Sequence, residues 1–263
     1  MSPTRRLVPK LLDQYRLLSK EPGTREPDDA WFEEMSRLIY ARGPETAMDA
    51  VAAALAEGIS YEAVGQSISL ACNAFVLRLD DGRRCHGDSF GVHTSDATNA
   101  WRNMVRLSNR RNAVVGLLVC AYYAADKRNF PEGELYPHDA HREAIKTTGA
   151  NLLLREADAA IRDNDQGRVA AAIQIYGEQG YAPRPVFDLM LRYAVSEGGR
   201  LHGEKYYCTV TEEFATTRPA FRWRQMVALA RVTMSCYGYN REDEAGYRAP
   251  GYEEACRLLQ VDV

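Results

Sequence analysis

Apolar residues recur at intervals of three and four along most of the chain, and runs that alternate apolar with polar residues are scarce. The first spacing places side chains on one face of an α-helix, whereas alternation is typical of a half-buried strand. Trp31, Met35, Leu38 and Ile39 form one such stripe. The pattern therefore predicts an all-α, multi-helix domain.

Capping residues, prolines and glycines give the approximate limits of the helices. Asp28 and Asp29 predict a helix start, Pro44 suits a first turn, and Gly58 suits the end of that helix. The predicted helices cover residues 9–19, a segment after Asp29, 44–58, 61–79, a segment from Thr94 or Ser95, 113–125, 137–161, 166–178, 185–196, 203–215, 219–236 and 252–260.

The chain also resembles itself, because four short blocks return in the same order at offsets of 118, 116, 122 and 116 residues. The pairs are 51–55 with 169–173, 82–88 with 198–204, 101–107 with 223–229, and Cys120 and Tyr123 with Cys236 and Tyr239. Such collinear similarity predicts two tandem homologous helical halves, and homologous halves commonly pack about a pseudo-two-fold axis.

The repeat suggests one compact domain with five parts. These are N-terminal helices in 1–50, a first repeat in 51–128, a linker and connecting helix in 129–168, a second repeat in 169–240 and a C-terminal helix in 241–263.

The amino-acid composition excludes several classes of protein. With 33 Lys and Arg against 36 Asp and Glu, the net charge is −3, so no basic excess points to nucleic acid. The longest uncharged apolar stretch, 113–125, is too short to cross a membrane, which takes about 20 residues. The N-terminus lacks the apolar centre of a secretory signal, and the six cysteines form no CxxC pair. We expect a cytoplasmic protein with reduced thiols and with neither nucleic-acid nor membrane partners.

Two repeat-related histidines are the main candidates for chemistry. His86 and His202 are each followed by glycine and an acid, Asp88 and Glu204, and His93 lies seven residues after His86. Imidazole and carboxylate are the ligand set of non-haem iron and other divalent metals. We predict His86 and His202 as metal ligands, with His93, Asp88 and Glu204 as catalytic groups. Both turns would equally suit helix capping, with the histidines bonded to carbonyl groups.

A second histidine pair, His138 and His141, has the i, i+3 spacing of one helical face, although its charged neighbours are typical of an exposed helix start.

The site predicted at His86 and His202 would need a pocket for its substrate, and the repeated Trp-Arg blocks are the candidates for its walls. We predict that substrate is bound by Trp101, Trp223, Arg102, Arg224 and Tyr206. Core packing is the alternative for the aromatic residues, whereas we expect the arginines to point off the apolar stripe, towards carboxylates across the interface between the halves.

Several catalytic motifs are absent from the sequence. It contains no G-x-S-x-G elbow, no phosphate-binding G-x-x-x-x-G-K-[ST] loop, no G-x-G-x-x-G after a strand and no H-E-x-x-H. The paired E-x-x-H helices of di-iron bundles do not occur either.

The stretch from His93 to Arg102 (His-Thr-Ser-Asp-Ala-Thr-Asn-Ala-Trp-Arg) leads to an apolar helix ending in Tyr122-Tyr123, and a second His-bearing copy follows at 201–206. This arrangement resembles the helical repeat of questin oxidase-like proteins, and also the helical region that follows the Rieske domain in some bacterial iron-sulfur proteins. The resemblance, over about residues 50–240, implies oxidation of an aromatic or polyketide-like substrate. The chain lacks the Cys-x-His and Cys-x-x-His pair of a Rieske cluster, so a separate electron-transfer protein would be needed.

Together these observations predict an oxidoreductase-like helical domain acting on an apolar or aromatic small molecule. Its His and carboxylate site would lie between the repeats and could hold iron or another divalent metal. The alternative is a non-catalytic helical-repeat scaffold or a small-molecule-binding protein.

Overall fold

The structure is a computed structural model that describes residues 3–78, 89–126, 132–195 and 200–237, with 257, 259 and 260. Within these ranges every regular element is an α-helix, twelve in all, and no β-strand is present. The all-α prediction is confirmed, while the two-fold repeat stays a prediction. None of the described helices combines the length and apolar content that crossing a bilayer requires.

The chain divides into two compact units that do not follow each other along the sequence. The first consists of Met1–Phe75 and Thr94–Phe130, and the second of Val76–His93 and Pro131–Val263. Two helices belong partly to each unit, α4 (Tyr61–Arg78) and α5 (Phe90–Leu107). The last turn of α4 and the first turn of α5 are thus parts of the second unit.

In the first unit, helix α3 packs against α6, and both α1 and α2 lie on this pair. The bounds are α1 (Pro3–Gln14), α2 (Asp29–Ala41), α3 (Pro44–Ala56) and α6 (Arg110–Ala125). As predicted, the Asp28 side chain caps α2 by accepting a hydrogen bond from the Trp31 N–H, and Pro44 opens α3.

The segment before α2 is fixed to the start of α4 by two isolated parallel bridges, Gly23 with Ser60 and Arg25 with Ile59. The Arg25 N–H donates to the Gly58 carbonyl at 3.0 Å. A Cβ atom on Gly23 would lie only 2.2 Å from the Gly58 carbonyl carbon, so this crossing of two backbones requires glycine.

In the second unit, α9 packs against both α8 and α12, and α12 also contacts α10 and α11. The bounds are α7 (Asp139–Ala144), α8 (Ala150–Asp163), α9 (Gln166–Glu178), α10 (Arg184–Ala194), α11 (Arg200–Thr216) and α12 (Arg222–Cys236). Every residue of α12 from Gln225 to its end is buried, so this helix forms the centre of the unit.

Some predicted helix limits were wrong. The long helix predicted over 137–161 is two helices, because the chain turns extended at Ile145 and Gly149 adopts a positive φ of +90° before α8. Helix α1 begins at Pro3, before the predicted residue 9, and α5 begins at Phe90, a full turn before Thr94. Most of the predicted C-terminal helix lies outside the described residues.

Candidate functional site

Two of the predicted site histidines lie side by side in the second unit. His93 sits in the first turn of α5 and His202 in the first turn of α11, and their ring centroids are 5.2 Å apart at an angle of 86°. His93 is exposed and His202 is half-buried. The start of α5 and the start of α11 therefore bring two imidazoles together where solvent and small molecules reach them.

The other predicted members of this site are placed less closely or not described. His86 and Asp88 lie outside the described residues. Glu204 is exposed on α11 two residues after His202, a spacing that does not share a helix face. Within the described part of the chain, no three His, Cys, Asp or Glu side chains are grouped to hold a metal ion.

The distance between the two rings fits a shared metal ion. With metal–nitrogen bonds of about 2.1 Å and tetrahedral angles, the centres of two imidazole ligands lie about 5 Å apart. The separation of His93 and His202 matches this value. The same distance also suits transfer of a proton through one water molecule, so the pair has two possible chemical uses.

The Trp-Arg block of α5 makes an ion-pair cluster in the first unit. Trp101 is half-buried and packs on α6 beside Gly116. Arg102 is buried and donates a hydrogen bond to Glu62 of α4, which also accepts one from Arg106 at 2.9 Å. Glu62 is thus a carboxylate partner of Arg102, but it lies in the same unit and in the same predicted repeat, whereas we predicted a carboxylate across the interface between the halves.

Two effects act in opposite directions on the pKa of Glu62 in this cluster. Burial by itself would raise the pKa of the Glu62 carboxyl, but the charge of Arg102 and the hydrogen bonds from Arg106 outweigh it. The net result is a pKa lowered from its ordinary value, so Glu62 is ionised at neutral pH.

The corresponding block of α12 lies against aromatic residues of the second unit. The Trp223 ring lies 5.5 Å from that of Phe214 and 5.9 Å from that of Tyr176, and the guanidinium of Arg224 lies 4.9 Å from the Phe221 ring centre. Tyr206, also predicted to bind substrate, is fully buried. For Trp223 the geometry matches the core-packing alternative.

Sequence reasoning missed a buried cation at the centre of the second unit. Arg231 of α12 is 0% exposed, and its guanidinium lies 3.7 Å from the centre of the Tyr136 ring. It donates hydrogen bonds to the Gln166 side chain at 2.8 Å and to the Val76 carbonyl at 2.6 Å. The available signal was an arginine in the middle of the apolar run 226–234.

The second histidine pair, His138 and His141, lies against the same Tyr136 ring as Arg231. His138 and His141 stack with ring centroids 5.0 Å apart, and both rings contact Tyr136. The backbone N–H of His138 donates to Nδ1 of His141 at 3.2 Å. Gly167 lies directly under the His141 ring, since a Cβ there would be 2.4 Å from it. With one ring nitrogen already used, His141 serves the start of α7.

Comparison of this chain with protein-family models, with curated proteins and with solved structures finds no match. The resemblance to questin oxidase-like proteins and to the Rieske-associated helical region accordingly stays a prediction.

Proposed function

We propose that this chain is an oxidoreductase-like helical protein that acts on an apolar or aromatic small molecule and uses His93 and His202 to hold a divalent metal ion. The single observation that carries the proposal is the 5.2 Å separation of the two imidazole rings at the start of α5 and α11. Further ligands would come from the predicted residues His86 and Asp88, and electrons from a separate protein.

The two histidines suit this role chemically. A neutral imidazole offers one nitrogen lone pair, and both rings stand on first helical turns, whose positions are fixed by the backbone. When bound, a divalent metal would polarise a substrate oxygen or support redox chemistry. The residues of the chain bind and orient that ion, and the exposed position of His93 leaves a route for substrate.

Metal binding is tested by adding Co²⁺ to metal-stripped protein and recording the visible absorption of the bound ion. We expect a stoichiometric site in the wild type, and at least a tenfold loss of affinity in His93→Ala and in His202→Ala. His138→Ala is the matched control, because it removes one imidazole elsewhere in the second unit. Equal binding by all four proteins, or none by the wild type, would reject the metal site.

The oxidoreductase part needs a separate readout. Oxygen consumption is measured with Fe²⁺-loaded protein, ascorbate as electron donor and a panel of phenols and hydroxyanthraquinones. We expect turnover that disappears in the His93→Ala, His202→Ala double variant and persists in His138→Ala. A protein that binds the metal through these histidines but consumes no oxygen with any member of the panel would contradict the enzymatic assignment.

A non-catalytic protein is the second candidate, supported by one observation. Trp223, which we predicted to bind substrate, is half-buried and packs against the rings of Tyr176 and Phe214. A helical scaffold or a small-molecule-binding protein needs only such packing, and it would keep its ligand affinity when both histidines of the pair are replaced by alanine.

A further inference from the structure

The first turn of helix α7 depends on one imidazole. The helix has six residues, and none of them is buried. The backbone N–H of His138, just before the helix, donates to Nδ1 of His141 at 3.2 Å. A ring nitrogen accepts a hydrogen bond only while it carries no proton, so this contact requires a neutral His141.

The His141 ring also lies on the first turn of α9. A Cβ atom on Gly167, the second residue of that helix, would be 2.4 Å from Cδ2 and 2.6 Å from Nε2 of the ring. The N–H groups of a first helical turn give that end of the helix a partial positive charge. The neutral ring packs there without penalty, whereas a protonated ring would be repelled.

A full positive charge lies on the other side of the same aromatic group. The rings of His138 and His141 lie 4.3 Å and 5.0 Å from that of Tyr136. The buried guanidinium of Arg231 lies 3.7 Å from the centre of the Tyr136 ring. Because an arginine is always charged, a proton added to either histidine would place a second cation near a buried one.

Each element around His141 contributes charged side chains, and most of these are paired or exposed. Helix α7 packs on α9, where Arg142 and Glu178 form an ion pair at 2.8 Å. Arg168 of α9 is paired with Glu156 of α8. Solvent screens the charges of four exposed side chains, which are Asp139, Glu143, Lys146 and Asp165.

The end of α4 and two phenols complete these surroundings. Arg78 ends α4 beside Leu77, whose carbonyl accepts a hydrogen bond from the Tyr136 N–H at 2.8 Å. Its charge adds to that of Arg231. Tyr136 and Tyr176 carry no charge at neutral or acid pH. The surroundings of His141 therefore favour its neutral form.

We propose that His141 is a pH-sensitive switch, which holds α7 on α9 at neutral pH and releases it as the pH falls from about 7.5 to about 5.5. A neutral ring with its lone pair on Nδ1 carries a proton on Nε2, so the added proton binds Nδ1 and displaces the His138 N–H. The released segment takes up this proton freely, and acid therefore populates the released form. The switch involves neither His93 nor His202, and it does not rest on the proposed function.

Hydrogen exchange of the full-length protein, followed by mass spectrometry and corrected for the intrinsic exchange rate at each pH, measures the opening of residues 138–146. We expect the equilibrium constant for opening to rise at least tenfold between pH 7.5 and pH 5.5, while residues 225–236 of α12 stay protected. In His141→Asn the rise should be less than twofold, because the amide oxygen replaces Nδ1 as acceptor and does not titrate. His202→Asn is the matched control, since it removes another imidazole of the second unit, and it should respond as the wild type does.

A second measurement needs no variant. In NMR spectra of the wild type, the Cε1 proton of His141 should respond to protonation at a lower pH than that of a histidine in a short peptide. A titration like that of the peptide would overturn the proposal. So would equal opening of residues 138–146 at both pH values, an equally steep response in His141→Asn, or simultaneous loss of protection in α12, which would show unfolding of the whole unit.

Discussion

Arg231 is the residue whose burial has the largest consequences for the second unit. A guanidinium cannot be neutralised in a protein, so its charge is retained at 0% exposure. The Val76 carbonyl, the Gln166 side chain and the face of Tyr136 supply the polar surroundings that water would otherwise give. The arginine in turn fixes the positions of these three groups.

Replacing Arg231 by leucine should destabilise the protein strongly, because the Val76 carbonyl and the Gln166 oxygen would stay buried without their donor. Hydrogen bonds to charged groups are worth about 1.5–3 kcal/mol each, so we expect a loss of about 3–5 kcal/mol. Urea unfolding followed by far-UV circular dichroism measures it. Arg184→Leu is the control, since Arg184 is exposed and its ion pair should be worth less than about 1 kcal/mol. Similar losses in both variants would refute this account of Arg231.

Gly177 is a second residue at which one added carbon atom would change the stability of the protein. A Cβ at this position of α9 would stand 2.2 Å from the Trp223 indole. We expect Gly177→Ala to cost about 1–3 kcal/mol and to shift the tryptophan emission, because the ring must move. At Gly203 of α11 the nearest atoms are 3.6 Å away, so Gly203→Ala should gain about 0.5–1 kcal/mol from helix propensity. The idea fails if thermal melts show Gly177→Ala to be as stable as Gly203→Ala.

At the scale of elements, α4 and α5 are joined at one end by the ion pairs of Glu62 and along their length by buried polar contacts. The stability that this junction adds depends on whether the Glu62 carboxyl is ionised. A carboxyl whose pKa is lower in the folded protein than in the unfolded chain adds stability above its unfolded pKa, and that stability is lost as the pH falls through the folded value.

Glu62→Gln should therefore be less stable than the wild type at pH 7, by about 1 kcal/mol, because the Glu62 side chain is 45% exposed and solvent screens part of its attraction to the arginines. The lowered pKa of Glu62 predicts that this difference shrinks as the pH falls below the ordinary pKa of a glutamate, and that it disappears once the wild-type carboxyl is protonated. Urea unfolding at pH 7 and at pH 3 tests the prediction. A difference of constant size at both values would show that the variant disturbs packing and not the ion pair.

Much of the element order is predictable from the sequence, because local signals decide it. Helix α9 has the predicted bounds, and the Asp165 side chain caps it. The break between α7 and α8 is not predictable in this way, since a lone glycine at 149 also fits a helix interior and only tertiary packing selects its positive φ. The early start of α5, by contrast, has a local signal, because the Ser89 hydroxyl accepts a hydrogen bond from the Val92 N–H and so caps the helix.

The site is less predictable than the helices. The sequence identified His93 and His202 as candidates, but their pairing depends on contacts between helices that lie over a hundred residues apart. Arg231 was overlooked because it stands inside an apolar helical run, where its neighbours dominate the periodicity. Buried polar residues of this kind are recognised only when their surroundings are known.

At the scale of the whole molecule, the second unit is built from two separate stretches of the chain, Val76–His93 and Pro131–Val263. The carbonyl groups of Val76 and Leu77, in the last turn of α4, accept hydrogen bonds from Arg231 and from the Tyr136 N–H. Residues 131–263 alone lack both acceptors. We expect this fragment to unfold without a cooperative transition in urea, and to regain one when it is produced together with residues 1–130. A fragment 131–263 that is cooperative by itself would contradict the assignment.

The carbonyl of Val76 also limits how the gene can be rearranged. A recombination event between the codons for residues 78 and 131 would join an α4 from one ancestor to an α12 from another, and the buried guanidinium would keep its acceptor only if both ancestors place this backbone carbonyl in the same position. Exchanges at this place are expected to be selected against. The coding stretch from α4 to α12 is therefore expected to be inherited as a single block.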